Sequence, residues 1–580
     1  MKHWGLLTFG LASVALAAGS PGSSSLNDSL YPWMGNGGYD ALHYTIDLRV
    51  PSDHKTIQGT TVMEAVATQD LSSFNLDLGK PEVKYVLVNG SRARFEHKDP
   101  ELTITPTEEI ASGSRFRVQV AYAGEPGTNA EQLATYGTGW FVEKNSAIGL
   151  AEPSALLAWA AVNDSPVDKA SFSFRLTAPK SEQAVANGIF LGRRENPDGT
   201  ATSVYRISEP TTTYMPMVAF GPYKLVEGGM IDGVRIRHYL NPDTKPYYTP
   251  VMAQTAEMIR FFADKLGKYP FREYGIITHE YKVGFALENQ TLSSFPADFE
   301  YPEDMDPKDI ETDVSMIYAH ELSHQWFAAL VSADDYSQMF IHEGFAQFLG
   351  DLWLEHKYGL KVDDAVRDNY GYMLHAREGG YFSLTKKALI DLLKNNLKKE
   401  ARFDATQTGK ALDLMFYGTL PAATREQIIA KAAQGLSMPE FTAEIDALPF
   451  SKLAYLRKDI REMRRLADPS LESVVPLPPP GGIEAGDDPF NGNVYSRGEA
   501  TVLALRYKVG DPTFWKILHT FLERHRFGTA NNEDFLTVVE ELGGADARTL
   551  TESWLFDEQL PAFPELGLKP ADYPLGADFK

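Results

Sequence analysis

The chain has 580 residues, no cysteine, and 78 acidic against 55 basic side chains, a formal net charge of -23. Without cysteine there is no disulfide, thiolate nucleophile, iron–sulfur cluster or thiolate-bound zinc, so any zinc site must use His, Asp or Glu. The length suggests two large domains or about three smaller ones, the 43% hydrophobic and 23% charged usage is that of a folded protein, and the acidic excess argues against a nucleic-acid partner, which needs a basic face.

Met1-Lys2-His3 precedes an apolar run over 4–17, and Ala15-Leu16-Ala17 supplies a small-x-small cleavage site. This pattern predicts a secretory signal peptide at 1–17. The run is too short for a comfortable membrane span, and no longer apolar stretch follows, so no integral membrane segment is expected in the mature chain. The protein is therefore expected to be exported, periplasmic or extracellular, with a flexible Gly/Ser-containing segment at 18–36. Residues 37–228 read as a β domain. His43-Tyr44-Thr45-Ile46-Asp47-Leu48-Arg49-Val50 alternates apolar and polar residues, as do 115–120 and 171–176. Phe220-Gly221-Pro222 is turn punctuation near its end. The period then changes. Helical spacing predicts helices over 248–266, 313–331 and 343–358, two basic helices over 384–400 and 452–466, a stiff linker at 476–482, and further helices from Gly498 onward.

His320-Glu321-Leu322-Ser323-His324 lies in an apolar-periodic stretch with Met316, Ile317, Trp326 and Phe327. On a helix, residues four apart share a face, so both imidazoles can address one ion, with Glu321 beside it to polarise a water without ligating the metal. A chain of this composition yields the pattern by chance roughly once in fifty, so the pattern alone does not establish a site. Catalytic zinc takes three protein ligands and leaves a position open. Glu343 follows His324 after 18 residues, room for one helix to end and another to present a carboxylate. Two histidines and a carboxylate with space for a water match one recognised zinc geometry; the plainer reading is a solvated helix with incidental histidines.

The words around these residues narrow the reading. Ala319-His320-Glu321-Leu322-Ser323-His324-Gln325-Trp326, with Glu343-Gly344-Phe345-Ala346, resembles the aminopeptidase N and leukotriene-hydrolase group of gluzincin zinc metallopeptidases. Phe285-Ala286-Leu287-Glu288-Asn289 is similar to that family's Gly-x-Met-Glu-Asn exopeptidase motif, Val494-Tyr495-Ser496-Arg497-Gly498 to its catalytic tyrosine motif, and residues 159–172 to part of its N-terminal domain. The resemblance runs from about residue 39 to 564. It implies an α+β multidomain protein, with an all-β, saddle-like N-terminal domain and a mostly helical, thermolysin-like catalytic domain at 229–580. It implies that His320, His324 and Glu343 bind one Zn2+, that Glu321 is the general base toward the attacking water, and that Tyr495 donates to the tetrahedral oxyanion. Glu288, by motif, and Glu152, in Leu150-Ala151-Glu152-Pro153, would anchor the substrate's α-ammonium. Backbone groups of Ala286 and Leu287 would pair with the substrate as an added strand. The implied activity is that of a secreted zinc aminopeptidase acting on peptides with a free N-terminus.

Departures from the family pattern qualify this. Phe285 stands in place of glycine, Leu287 of methionine, Phe340 of tryptophan and His342 of asparagine. His342 neighbours a ligand, but adjacent helical residues point apart, so it is read as a supporting or surface residue, and His279 as packing. Between Glu343 and Tyr495 lie 151 residues, which implies a helical insertion at about 375–489, read as solvated helix faces or, alternatively, as a cap or docking surface by the cleft. With 85 residues after Tyr495, the long helical-repeat domain of larger relatives is expected to be absent. The competing readings are a zinc endopeptidase, which Glu288 disfavours, or another zinc hydrolase on the same fold, and a non-catalytic peptide-binding module, which needs neither Glu321 nor Tyr495.

Overall fold

The alternation in the first part of the chain builds an eight-stranded sheet. Its strands run in the order Ile189–Glu195, Thr200–Thr211, Ala170–Pro179, Tyr39–Arg49, Ile57–Ala67, Arg115–Gly124, Glu82–Val88 and Ser91–Arg92. The computed structural model describes residues 19–573 except 130–138, 283–284, 302–304, 376–380, 386–401, 417–419, 449–452 and 458–476. Ala170–Pro179 pairs in parallel with Tyr39–Arg49, Phe174 opposite Ile46; the other neighbours are antiparallel. Tyr44, Ile46, Leu48, Phe172, Phe174 and Leu176 are buried while Arg49 and Arg175 face solvent, the period-two pattern of a sheet covered on one face. Leu71, Phe74, Leu76, Leu102 and Ile104, from a second, four-stranded sheet, complete this core.

A further sheet starts at Lys224–Ile231, turns back into Val234–Leu240, and continues in parallel through Ile276–His279 and Ser293–Pro296. Residue 228, where the sequence suggested a boundary, therefore lies inside a strand. Val218 and Phe220 belong to the N-terminal core, whereas Ile231, Val234 and Ile236 pack with the helices. The change of core falls nearer Gly221-Pro222.

The helices are α1 (Thr255–Leu266), α2 (Pro307–Ser323), α3 (Phe345–Tyr358), α4 (Val362–His375), α5 (Gly492–Val509), α6 (Asp511–Arg524), α7 (Asn532–Gly543) and α8 (Ala545–Phe556). The span expected as one helix over 248–266 is broken after Tyr248–Met252, and α2 ends at Ser323 rather than running on to 331. Asp306 caps α2, its Oδ1 accepting from the Lys308 N–H at 2.9 Å, with Pro307 in the first turn. α2 packs along α3, and α5 crosses α3, α4 and α8, burying Tyr318, Leu322, Phe345, Phe348, Trp353 and Leu505 in one core. Among the described residues no helix is long and apolar enough to cross a membrane.

Two expectations change. Residues 19–36 are not a loose tether. Asp28 Oδ2 accepts from the Tyr336 N–H at 2.9 Å, and the Ser29 N–H and hydroxyl donate to the Asp335 carboxylate at 2.6 and 2.5 Å. Leu30, Tyr31, Trp33 and Met34 pack with Tyr336, Met339 and Val494, so burial of these apolar residues outweighs the local Gly/Ser composition. In the insertion, Leu453–Arg457 is a strand antiparallel to Tyr381–Thr385, with Phe382 opposite Leu456 and Leu384 opposite Ala454. Pairing between these two segments, distant in sequence, overrides the helical reading there. The rest of the two basic helices, including Lys386, Lys387, Lys394, Lys398, Lys399, Lys458, Arg461, Arg464 and Arg465, lies outside the described residues. The insertion's described helices are Ala405–Phe416, Ala422–Ala432 and Met438–Asp446.

Asp335 also accepts from the Ser337 N–H and hydroxyl at 2.8 and 2.6 Å. Asp335→Ala should therefore cost ~1–3 kcal/mol and speed protease cleavage within 19–36. Denaturant unfolding and limited proteolysis check this; an unchanged cleavage rate would mean the segment is held without these bonds.

Candidate active site

His320 and His324 lie one turn apart at the end of α2, and Glu343 sits on a single turn of π-helix, Phe340–Gly344, that leads into α3. His320 Nε2 and His324 Nε2 are 3.0 Å apart, and Glu343 Oε2 is 3.1 and 3.4 Å from them. His324 Nδ1 donates to the Phe327 carbonyl at 2.9 Å, which leaves a lone pair on Nε2 in the neutral ring. The three possible ligand atoms thus converge on one point. Tetrahedral ligands at 2.0–2.1 Å from zinc lie ~3.3 Å from each other, which is the spacing found. The residues fit one zinc ion.

The surroundings carry more negative charge than they neutralise. Ligand atoms of Glu288, Glu321 and His324 lie within 4.8 Å of one another. Burial pulls the His324 imidazole down, but Glu343, Glu288 and Glu321 outweigh it and push it up to about 10. Burial works against Glu343 as well, yet His324 and His320 hold it far below the usual carboxylate range. Glu152 and Glu321 are driven well above that range by burial first, then by neighbouring carboxylates, with His324 opposing at Glu321. Burial also raises Glu288. Glu152 Oε1 and Glu321 Oε2 are buried with no hydrogen-bond partner, an arrangement that is costly until a cation or donor enters.

One cavity of about 540 Å³ brings together all nine residues singled out by the sequence: Glu152, Ala286, Leu287, Glu288, His320, Glu321, His324, Glu343 and Tyr495. The Tyr495 ring lies nearly parallel to the His320 ring, centroids 6.1 Å apart. Burial, then Glu343 and Glu152, keeps its hydroxyl protonated well above the usual tyrosine range. Glu288 Oε1 accepts from the Tyr214 hydroxyl at 2.8 Å. The Glu288 carbonyl accepts from Gln325 Nε2 at 3.0 Å, and Gln325 Oε1 accepts from the Thr291 N–H at 2.8 Å. Sequence reasoning missed Tyr214 and Gln325. Gln325 directly follows the second histidine, where its position was the available signal; Tyr214 belongs to no local pattern.

Leu287 differs from expectation. Its N–H and C=O both pair with Ser294, at 2.9 and 2.8 Å, so its backbone is already engaged and Ala286 is left for substrate pairing. His342 is buried rather than on the surface. Its Nε2 accepts from the Ala333 N–H at 2.8 Å, and burial lowers it to about 3. His279 is buried and donates through Nδ1 to the Tyr281 carbonyl at 3.0 Å, a packing role.

Two glycines bring the distant halves of the site into register. A Cβ on Gly498 would lie 2.7 Å from Gly344 Cα, and one on Gly344 would lie 3.1 Å from Gly498 Cα and 2.6 Å from the Phe340 ring. The π-turn holding Glu343 and the helix holding Tyr495 therefore touch backbone to backbone. Arg497 anchors α5 by donating to the carbonyls of Trp554, Ser553 and Asp557 at 2.6, 3.1 and 2.6 Å.

The peptidase M1 N-terminal domain matches residues 40–215, and the peptidase family M1 domain matches residues 251–415. Endoplasmic reticulum aminopeptidase 1 of Mus musculus is 20% identical over 322 residues, 53% of this chain and 35% of its own length. Aminopeptidase N of Haemonchus contortus is 27% identical over 240 residues, 41% of this chain and 24% of its own length. The chain thus spans well under half the length of these curated relatives. A crystal structure of an M1 zinc metallopeptidase from Deinococcus radiodurans superposes with a TM-score of 0.69 at 23% identity, over 95% of this chain and 100% of that one. The β-domain-then-helical-domain architecture is shared with that structure.

Gly498→Ala should force the two backbones apart, costing ~1–3 kcal/mol as overpacking does and weakening zinc binding ~10-fold or more, as displaced supporting shells do. Thermal unfolding and zinc competition against a chelating dye read both effects. Unchanged zinc affinity would mean that the crossing does not set the ligand geometry. Stripping the metal from the wild type should lower its unfolding midpoint, and zinc at about 100 times its dissociation constant should restore ~2.7 kcal/mol.

Proposed function

Since the chain belongs to the M1 family of peptidases, matching its N-terminal and catalytic domains in order, we propose that it is a zinc aminopeptidase that releases N-terminal residues from peptides with a free amino end. The observation that carries this reading is the burial of two carboxylates, Glu288 and Glu152, in the cavity that holds His320, His324 and Glu343. An endopeptidase has no use for an anchor of the chain's amino end, and a passive binding module has no use for Glu321 and Tyr495.

A zinc ion held by His320, His324 and Glu343 supplies Lewis acidity, polarising a carbonyl and acidifying water. Glu321 takes a proton from the attacking water through its orphaned Oε2 and returns it to the leaving amine; burial raises its proton affinity, which suits both transfers. The Tyr495 hydroxyl, held protonated, donates to the oxygen on which charge develops. Glu288, oriented by Tyr214, and Glu152 accept from the substrate's α-ammonium. A blocked amine would leave both carboxylates unpaired in a dry site, which discriminates against it. Ala286 offers its backbone to the substrate as an edge strand. Export of the enzyme is part of the same proposal and is supported by the sequence of residues 1–17, which lie outside the described residues.

Free-amine peptides should be hydrolysed and their N-acetylated forms should not. Glu321→Gln should lower kcat by ~10²–10⁴ with zinc content unchanged, and Tyr495→Phe by ~10²–10³. Peptide hydrolysis followed by chromatography, with metal analysis of each variant, checks these. Equal turnover of acetylated peptides would reject the exopeptidase reading, and full activity in Glu321→Gln would reject the base.

A further inference from the structure

Two acidic side chains of the helical core take no part in the chemistry proposed above. Glu499 lies on α5 and is fully buried, and Asp351 lies on α3 and is 8% exposed. Their carboxyl groups hydrogen-bond each other. Ionised carboxylates offer acceptors only, and neither oxygen of Glu499 receives a donor from elsewhere. A proton on Glu499 closes the contact, its hydroxyl donating to Asp351. Asp351 Oδ2 also accepts from Gln347 Nε2 at 3.1 Å, which marks Asp351 as the partner that keeps its charge. The other charge that bears on the pair is Asp313 of α2, again a negative one. Burial first, then Asp351, drives Glu499 well above the usual carboxylate range, and burial raises Asp351 to about 6.

The pair sits where it can act on the cleft. Glu499 follows Tyr495 by one turn of α5, so the two share a face. Gly498, just before Glu499, meets Gly344 backbone to backbone. One crossing point sets the distance between two helices but not the roll of α5 about its own axis. Arg497 ties α5 to the end of α8, not to α3. Asp351 lies seven residues past Gly344, ~10 Å along the chain at ~1.5 Å per helical residue, and supplies a second point of attachment between α5 and α3. Its neighbour Gly350 presses α3 onto α2: a Cβ there would lie 3.2 Å from Met316 Sδ and 3.5 Å from His320 Cβ. The frame that fixes Glu499 is thus the one that carries the first histidine.

Resting on the role given above to Tyr495, we propose that Glu499 and Asp351 are positioning residues for the peptidase reaction. The one proton they share locks the roll of α5 against α3 and holds the Tyr495 hydroxyl toward the oxygen on which charge develops. Loss of that proton would leave two like charges side by side in the core, which disfavours the contact. An amide at position 499 can donate to Asp351 as the acid does, and a methyl group cannot.

Two measurements on the zinc-loaded protein test this. The infrared difference between wild type and Glu499→Gln at neutral pH should contain the carbonyl stretch of one protonated carboxyl group; a difference without that band would overturn the shared proton. Calorimetry with a free-amine phosphinic tripeptide, a mimic of the tetrahedral state, reads the position of Tyr495 without turnover. Glu499→Ala should weaken its binding about tenfold, the scale of one lost hydrogen bond to a charged group, and Glu499→Gln should stay within about twofold of wild type. In a Tyr495→Phe background, Glu499→Ala should add less than about twofold, since both changes remove the same interaction. Wild-type affinity in Glu499→Ala, a loss in Glu499→Gln equal to that in Glu499→Ala, or an undiminished loss in the Tyr495→Phe background would each overturn the proposal. Glu499→Leu, which fills the site without a donor, takes the place of Glu499→Ala if that variant does not fold. Equally tight binding of the N-acetylated mimic would overturn the aminopeptidase reading and leave the comparison at Tyr495 standing.

Discussion

Buried negative charge organises this protein. Glu152, Glu288, Glu321 and Glu343 lie buried around one cleft with two histidines, and two of their oxygens have no hydrogen-bond partner. Carboxylates gathered this way repel one another, and burial removes the water that would screen them. In the proposed function the arrangement becomes favourable once cations enter, one among His320, His324 and Glu343 and one, a substrate amine, between Glu288 and Glu152. A single electrostatic demand would then serve both metal affinity and the proposed recognition of a chain end.

The rest of the fold holds those groups against their repulsion. α2 presents both histidines and Glu321 from one helix end, and the π-turn brings Glu343 to meet them. The Gly344–Gly498 contact then sets Tyr495 across the cleft although 151 residues separate it from Glu343. The N-terminal domain takes part directly. It contributes Glu152 and Tyr214, and its Lys169 ammonium donates to the Ala329 carbonyl, the Ser332 hydroxyl and the Gly528 carbonyl at 3.3, 3.1 and 3.1 Å. Neither domain completes the site alone.

What could be read in the sequence was what local periodicity encodes. Residues four apart on a helix share a face, so the pairing of His320 with His324 follows from spacing. The strand at Tyr39–Arg49 alternates because one face is covered. The features that escaped depend on contacts distant in sequence. Residues 19–36 look loose by composition, yet Asp28, Ser29 and Met34 are held by a loop some 300 positions on. Leu453–Arg457 reads as part of a basic helix until Tyr381–Thr385 pairs with it. Tyr214 carries no motif, and only the folded chain brings its hydroxyl to Glu288. The motif around Leu287 suggested a free backbone, and Ser294 takes it. The glycines after Glu343 and Arg497 were legible as letters, but their reason, a backbone crossing, appears only in three dimensions.

The most direct test of the central claim is an X-ray structure of zinc-loaded Glu321→Gln with an unblocked tripeptide, with anomalous data collected at the zinc edge. The account predicts one zinc peak about 2.0–2.2 Å from His320 Nε2, His324 Nε2 and Glu343, and the peptide's amino group within hydrogen-bond reach of both Glu288 and Glu152. A metal peak elsewhere, or a peptide bound with its amine turned away from those two carboxylates, would contradict it.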